Sequence, residues 1–152
     1  MPTTMSQVRA MLQPDEVDYD AAKQLGPDAL PFLMELVKGG DLNLATKAAY
    51  LASLIPSQES VAVVEAAAKS PEDVLRVAAA SGIRNLQVRD VERITNLLKN
   101  DPEVGVRKVM LHSVVKFKSP QLAIHLQEMV DKDPEPQLRE LAAKTVANLK
   151  QN

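Results

Sequence analysis

Four helix-length segments of this chain open alike, at Asp41, Ser70, Asp101 and Asp133, with spacings of 29, 31 and 32 residues. Six positions after each opening stands a basic residue (Lys47, Arg76, Arg107, Arg139), and six further on a small one (Ser53, Gly82, Ser113, Thr145). A helical unit repeated at this period cannot bury its apolar faces alone and must stack on copies of itself. The predicted fold is therefore all-α: a right-handed α-solenoid of about four to five helical hairpins. It fills one domain, 1–152, with 1–13 as an N-terminal capping segment and 14–150 as the repeats.

The openings carry helix-start chemistry. Asp or Ser can accept hydrogen bonds from the unpaired amides of a first turn. In Ser70-Pro71-Glu72, Asp101-Pro102-Glu103 and Asp133-Pro134-Glu135, proline suits the first helical position and the acid suits the positive end of the helix dipole. Behind each opening lies an amphipathic pattern, such as Val106, Val109, Met110, Ser113, Val114 or Leu138, Leu141, Ala142, Thr145, Val146, Leu149. A second helix follows each of the first three openings and completes a hairpin. Its apolar marks are Val61, Val64, Ala67, Ala68; then Val91, Ile94, Leu97, Leu98; then Ala123, Leu126, Met129, Val130. Leu30, Leu33, Leu36 and Val37 repeat the pattern one period earlier, after a Gly26-Pro27 corner, and Thr4 to Leu12 forms a short cap. Periodicity gives about nine main helices.

Composition fits close helix packing. Ala, Leu and Val dominate, aromatics make up 3%, and Trp and Cys are absent. The lack of cysteine excludes a disulfide framework, a thiolate metal site and a cysteine nucleophile. With no signal-peptide run at the N-terminus and no apolar stretch of spanning length, the expected location is cytoplasmic.

The segments Asp101-Pro102-Glu103-Val104-Gly105-Val106-Arg107 and Asp133-Pro134-Glu135-Pro136-Gln137-Leu138-Arg139 resemble the start of HEAT-type repeats. The corner Leu25-Gly26-Pro27-Asp28-Ala29-Leu30-Pro31-Phe32-Leu33 resembles the phycobilisome-lyase HEAT-like subtype. Departures exist: Tyr50 and Met110 stand where the family usually has Ala, and Ser70 where it has Asp. The resemblance implies that the basic residues belong to an inter-repeat ladder of Asp41, Lys47, Arg76, Asp101, Arg107, Asp133 and Arg139. In it Arg76 would meet Asp101 or Asp41, and Arg107 would meet Asp133 or Asp101. Arg suits that role because its planar donors bridge two acceptors.

No catalytic constellation can be read, and none is expected. His112 and His125 are the only histidines and lack metal-ligand spacing. The cluster Asp15, Glu16, Asp18, Asp20 fails every calcium-loop register, because Gly and Glu are missing from the sixth and twelfth places. Phosphate loops and nucleophile elbows are absent. No metal and no cofactor are expected, and the chain reads as a non-enzymatic scaffold or adaptor.

Charge is uneven. Residues 1–75 hold 5 Lys and Arg against 11 Asp and Glu, 76–118 hold 9 against 4, and 119–152 hold 4 against 5. A basic middle could meet an acidic protein partner, another copy's acidic end, or a nucleic-acid backbone. Its candidates are Arg84, Arg89, Arg93, Lys99, Lys108, Lys116 and Lys118. The overall pI near 5.7 and the scarcity of stacking aromatics argue against nucleic acid. The leading expectation is a protein partner held by the second helices, taken to line the inner curve, through Glu65, Arg89, Arg93, Asn96, His125 and Glu128. The alternative drawn from the lyase resemblance is a chromophore lyase subunit or bilin-binding chaperone. A weaker one, resembling HEAT-like DNA glycosylases, is nucleic-acid binding.

Overall fold

The structure, a computed structural model, describes residues 2–151; Met1 and Asn152, the ends of the expected domain, lie outside the described residues. Among those residues there are ten α-helices and no strands. They are α1 (Met5–Leu12), α2 (Tyr19–Ala22), α3 (Leu30–Lys38), α4 (Leu42–Leu54), α5 (Gln58–Ala68), α6 (Asp73–Gly82), α7 (Val88–Leu98), α8 (Val104–Val114), α9 (Pro120–Lys132) and α10 (Pro136–Lys150). The expected short cap is α1, and α2 is a single turn.

The helices stack in two layers, α4, α6, α8 and α10 in one and α3, α5, α7 and α9 in the other. One elongated interior runs between the layers, from Val8 and Leu12 through Leu51, Ile83 and Met110 to Leu149. The most extensive helix pairs are α3 with α4 and α9 with α10, whereas α9 hardly touches α8. In the middle of the stack the pairing is even: α5 packs equally against α4 and α6, and α7 equally against α6 and α8, so the expected hairpins of an opening helix with the helix after it are as close there as the alternative. The C-terminal face of α9 needs α10 to bury Leu126 and Met129.

At the N-terminus, α1 closes the stack against α3 and α4. Its start is a capping box: the Thr4 hydroxyl accepts from the Gln7 amide (3.2 Å), and the Gln7 side chain accepts from the Thr4 amide (3.0 Å). Gly26 makes the corner before α3 at φ 72, ψ −168, a conformation that any side chain would strain.

The helix starts differ from expectation in an informative way. Asp41 caps α4 as predicted, its carboxylate accepting from the Leu44 amide at 3.1 Å. At the three openings that carry proline, the helix begins three residues after the opening residue, and Glu72, Glu103 and Glu135 are the cap residues. There the opening side chain accepts from the amide two residues on: Ser70 from Glu72 (3.0 Å), Asp101 from Glu103 and Asp133 from Glu135 (both 2.9 Å). This is a side-chain turn that precedes the helix. It leaves the rest of each carboxylate free for a neighbour.

The two layers are not equally close. α4, α6 and α8 approach one another more tightly than α5, α7 and α9 do. Small residues permit it: Ala45, Ala48, Ala49, Ala52, Ala79 and Ala80 are fully buried, and a Cβ on Gly82 would lie 2.9 Å from Ser53 Cβ.

Candidate functional site

Two sets of polar residues join neighbouring units. The first is buried and runs along the turns. Arg76 donates from Nε and Nη2 to the Asp101 carboxylate (2.7 and 3.3 Å) and from Nη1 to the Ser70 carbonyl (3.0 Å). Arg107 repeats this one unit later, with Nε and Nη2 on Asp133 (2.9 and 3.2 Å) and Nη1 on the Asp101 carbonyl (2.6 Å). Each Arg therefore holds its own unit's opening and the next unit's carboxylate. The Arg107 and Asp133 side chains are only 5% and 2% exposed. In the first rung, the hydrogen bond to Asp101 raises the pKa of Arg76 above its ordinary value, against the opposing effect of burial.

The ends of this series depart from the pattern. Arg139 keeps the bond to its own opening, the Asp133 carbonyl (2.6 Å). Lys47 donates instead to the Pro14 carbonyl (2.9 Å), so it ties the N-terminal segment down. Asp41 is a helix cap and not a rung. A lysine lacks the planar, spaced donors with which arginine spans a carboxylate and a carbonyl, and Ser70 offers no carboxylate to meet it.

The second set lies on the layer of α5, α7 and α9. Arg93 on α7 reaches Glu65 on α5 at 3.5 Å, and Glu65 also pairs with Lys69 at 3.2 Å. On the other side of α7, Glu92 meets His125 of α9 at 2.6 Å, and Lys99 donates to the His125 carbonyl at 3.4 Å. Charged side chains thus bridge neighbouring helices in this layer. Arg89, 68% exposed, contacts only its neighbour Asp90, at 3.8 Å, and stands between clefts of about 400 and 200 Å³. Asn96 is exposed, and Glu128 lines a cleft of about 230 Å³ with Lys99 and Lys132.

Sequence reasoning missed three apolar members of this surface. Ile124 is 69% exposed, Val88 51% and Leu97 37%. Leu97 was expected in the core, but Leu98 takes the buried position. Helical spacing alone assigned both leucines to one face; only Ile124, between Ala123 and His125 and off the α9 apolar stripe, could have been noticed. Glu92 was also missed, although it sits beside Arg93 at the start of the helical turn facing α9.

The basic middle does not form one stripe. Arg84 is drawn to the Ser81 carbonyl (3.0 Å) and the Ser113 hydroxyl (3.2 Å), Lys116 lies 5.3 Å from the centre of the Phe117 ring, and Lys108 is on α8. Among the described residues no group of three or more His, Cys, Asp or Glu is placed to hold a metal ion, and no helix is long and apolar enough to cross a membrane.

Stacked helical pairs joined by Arg–Asp rungs define an α-solenoid built of repeats. The family model for HEAT repeats matches residues 61–147, from within α5 to within α10 and more than half of the chain, and the protein belongs to the HEAT-repeat family. Among curated proteins none matches the chain. HEAT repeats generally mediate protein–protein interaction, and the family is typically non-enzymatic.

Proposed function

We propose that this chain is a non-enzymatic binding module that recognises another protein on the exposed surface of α5, α7 and α9. The observation carrying this reading is the exposed Ile124, with Val88 and Leu97, set among charged groups held by cross-helix pairs. An isolated exposed apolar residue needs no explanation, but apolar residues interleaved with positioned charges supply both contact area and register. Arg93, tied to Glu65, loses less side-chain freedom on binding than a free arginine would. Glu65, Arg93, Asn96, His125 and Glu128 are the polar contacts, joined by the exposed Arg89 between two clefts. The mechanism is recognition by shape and charge, with no bond made or broken.

The chromophore reading finds less support. The largest cleft described below has Met34, Val37, Leu42, Ala62 and Ala66 in its walls and no aromatic side chain against which a conjugated ligand would lie. The scatter of the basic residues likewise offers no continuous track for a nucleic-acid backbone.

The test is affinity capture with chemical cross-linking, repeated with Ile124→Asp and with Arg89→Ala/Arg93→Ala. Captured partners should be lost or weakened at least about tenfold by either, the equivalent of about 1.4 kcal/mol. Partners retained in full by both variants would place the binding surface elsewhere.

A further inference from the structure

The largest open surface lies beside that row, between α3 and α5. A cleft of about 780 Å³ is walled by Met34, Val37, Ala62 and Ala66. A second, of about 430 Å³, continues it past Leu30 and Pro31 and shares Met34 and Ala62. Together they form one groove along both helices. It is open for two reasons visible in the sequence. At positions 62 and 66 α5 presents only alanine, and this junction is the one that lacks an Arg–Asp rung, since Ser70 replaces Asp and Lys47 turns to Pro14.

The mouths of the groove differ in charge. Asp28 and Glu59, with no base beside them in the lining, stand at the end where α3 and α5 begin. Lys38 and Lys69 stand where those helices finish, against Glu65 and Glu72, and Lys69 is itself paired with Glu65, so that mouth is balanced where the first is acidic. From Glu59 to Lys69 the floor spans about 15 Å at ~1.5 Å per residue, the length of about three helical turns.

We infer that this groove receives a short amphipathic helix of a partner protein, lying antiparallel to α3 and α5, its acidic first turn at Lys38 and Lys69 and its basic last turn at Asp28 and Glu59. Helices ordinarily carry acids in the first turn and bases in the last, so an antiparallel occupant sets its basic turn on the acidic mouth, brings its acids to Lys38 at the balanced one, and opposes the dipoles of α3 and α5. Its apolar ridge would enter the space left by Ala62 and Ala66, the helix-in-groove mode of recognition. The inference rests on the reading of the chain as a protein-binding module but not on the α5–α7–α9 surface.

The probe is a side-chain-cyclised peptide of about fifteen residues, with leucines on one helical face, glutamates in the first turn and lysines in the last; cyclisation is needed because so short a helix is marginal alone. Its partner in the comparison is the charge-reversed peptide. Amide chemical-shift titration of the full chain should show saturable binding of the first, with shifts confined to α3, α5 and the turns after them. The reversed peptide should bind at least tenfold more weakly. Asp28→Lys/Glu59→Lys, or Lys38→Glu/Lys69→Glu at the other mouth, should narrow or invert that preference, and Ala62→Glu, at an exposed position, should abolish binding while thermal stability is kept. Equal binding of the two peptides, no saturable binding, or shifts centred on Arg93 and Ile124 would each overturn the groove assignment. The last of these would leave the α5–α7–α9 surface standing as the binding site.

Discussion

Replacing Arg107 by methionine keeps most of its aliphatic stem and removes the guanidinium, which isolates the buried rung between the third and fourth units. Three donated hydrogen bonds disappear, two to Asp133 and one to the Asp101 carbonyl. Asp133, its side chain 2% exposed, is left with the Glu135 amide as its one remaining hydrogen-bond donor in the structure. Counted singly, three charge-assisted bonds at about 1.5–3 kcal/mol each would exceed 4 kcal/mol. Some of that is recovered as the carboxylate shifts toward water or takes a proton, so the expected loss is about 3–5 kcal/mol, the range for breaking one side of a buried pair. For a domain of this size that is a fall in Tm of roughly 6–20 °C. Equilibrium urea unfolding followed by circular dichroism measures it. Asp133→Asn in the same background should cost much less than it does alone, with a coupling term of at least ~2 kcal/mol in the double-mutant cycle. Because units touch only their neighbours, the C-terminal pair α9–α10 should loosen first, lowering the slope of the transition. Lys47→Met, which loses one partly exposed bond to Pro14, should cost only about 0.5–1.5 kcal/mol. If Arg107→Met lay within ~1 kcal/mol of the parent, or matched Lys47→Met, the rung would not hold the units together as argued.

Further outcomes follow from particular contacts. Gly82→Ala should destabilise by about 1–2 kcal/mol despite alanine's better helix propensity, because its Cβ would meet Ser53 Cβ at 2.9 Å, whereas Gly105→Ala, with nothing within 4 Å, should stabilise by up to ~1 kcal/mol. Thermal denaturation of the two variants reads the opposite signs. Burial, and then the neighbouring Tyr50 ring 5.0 Å away, raise the pKa of Tyr19 above its ordinary 10.0. The unfolded chain therefore releases that proton first, so stability is full below pH 10.0 and declines above it as pH climbs toward the folded value. Absorbance titration should place Tyr19 ionisation above the free value, and Tyr50→Phe should lower it part of the way. Ile124→Asp should leave Tm within about 0.5 kcal/mol of stability of the parent, since the site is exposed, and yet reduce partner binding.

The repeat, the cap at Asp41 and the basic position were legible because each rests on local chemistry at a fixed period. Arg76 and Arg107 could be paired with two candidates each from sequence; the choice of Asp101 and Asp133 needed the direction of stacking, which only tertiary structure supplies. The late starts of α6, α8 and α10 were hidden because an Asp before Pro-Glu can cap a helix or close a turn with equal local logic. Layer spacing was the larger surprise. It depends on the sum of Ala, Gly and Ser contacts across units, and no single helix displays it. The same is true of the α5–α7–α9 surface: Arg93 and His125 were visible as off-stripe polar residues, but their partners Glu65 and Glu92 lie on neighbouring helices. Ile124 went unread because one apolar residue off the stripe carries no periodic signal.

Backbone amide exchange of the chain, alone and with a captured partner bound, addresses the functional reading most directly. Protection gathered along α5, α7 and α9, with or without the α3–α5 groove, is the result expected of a recognition surface there. Protection restricted to α4, α6, α8 and α10, with the other layer exchanging as in the free protein, would contradict it.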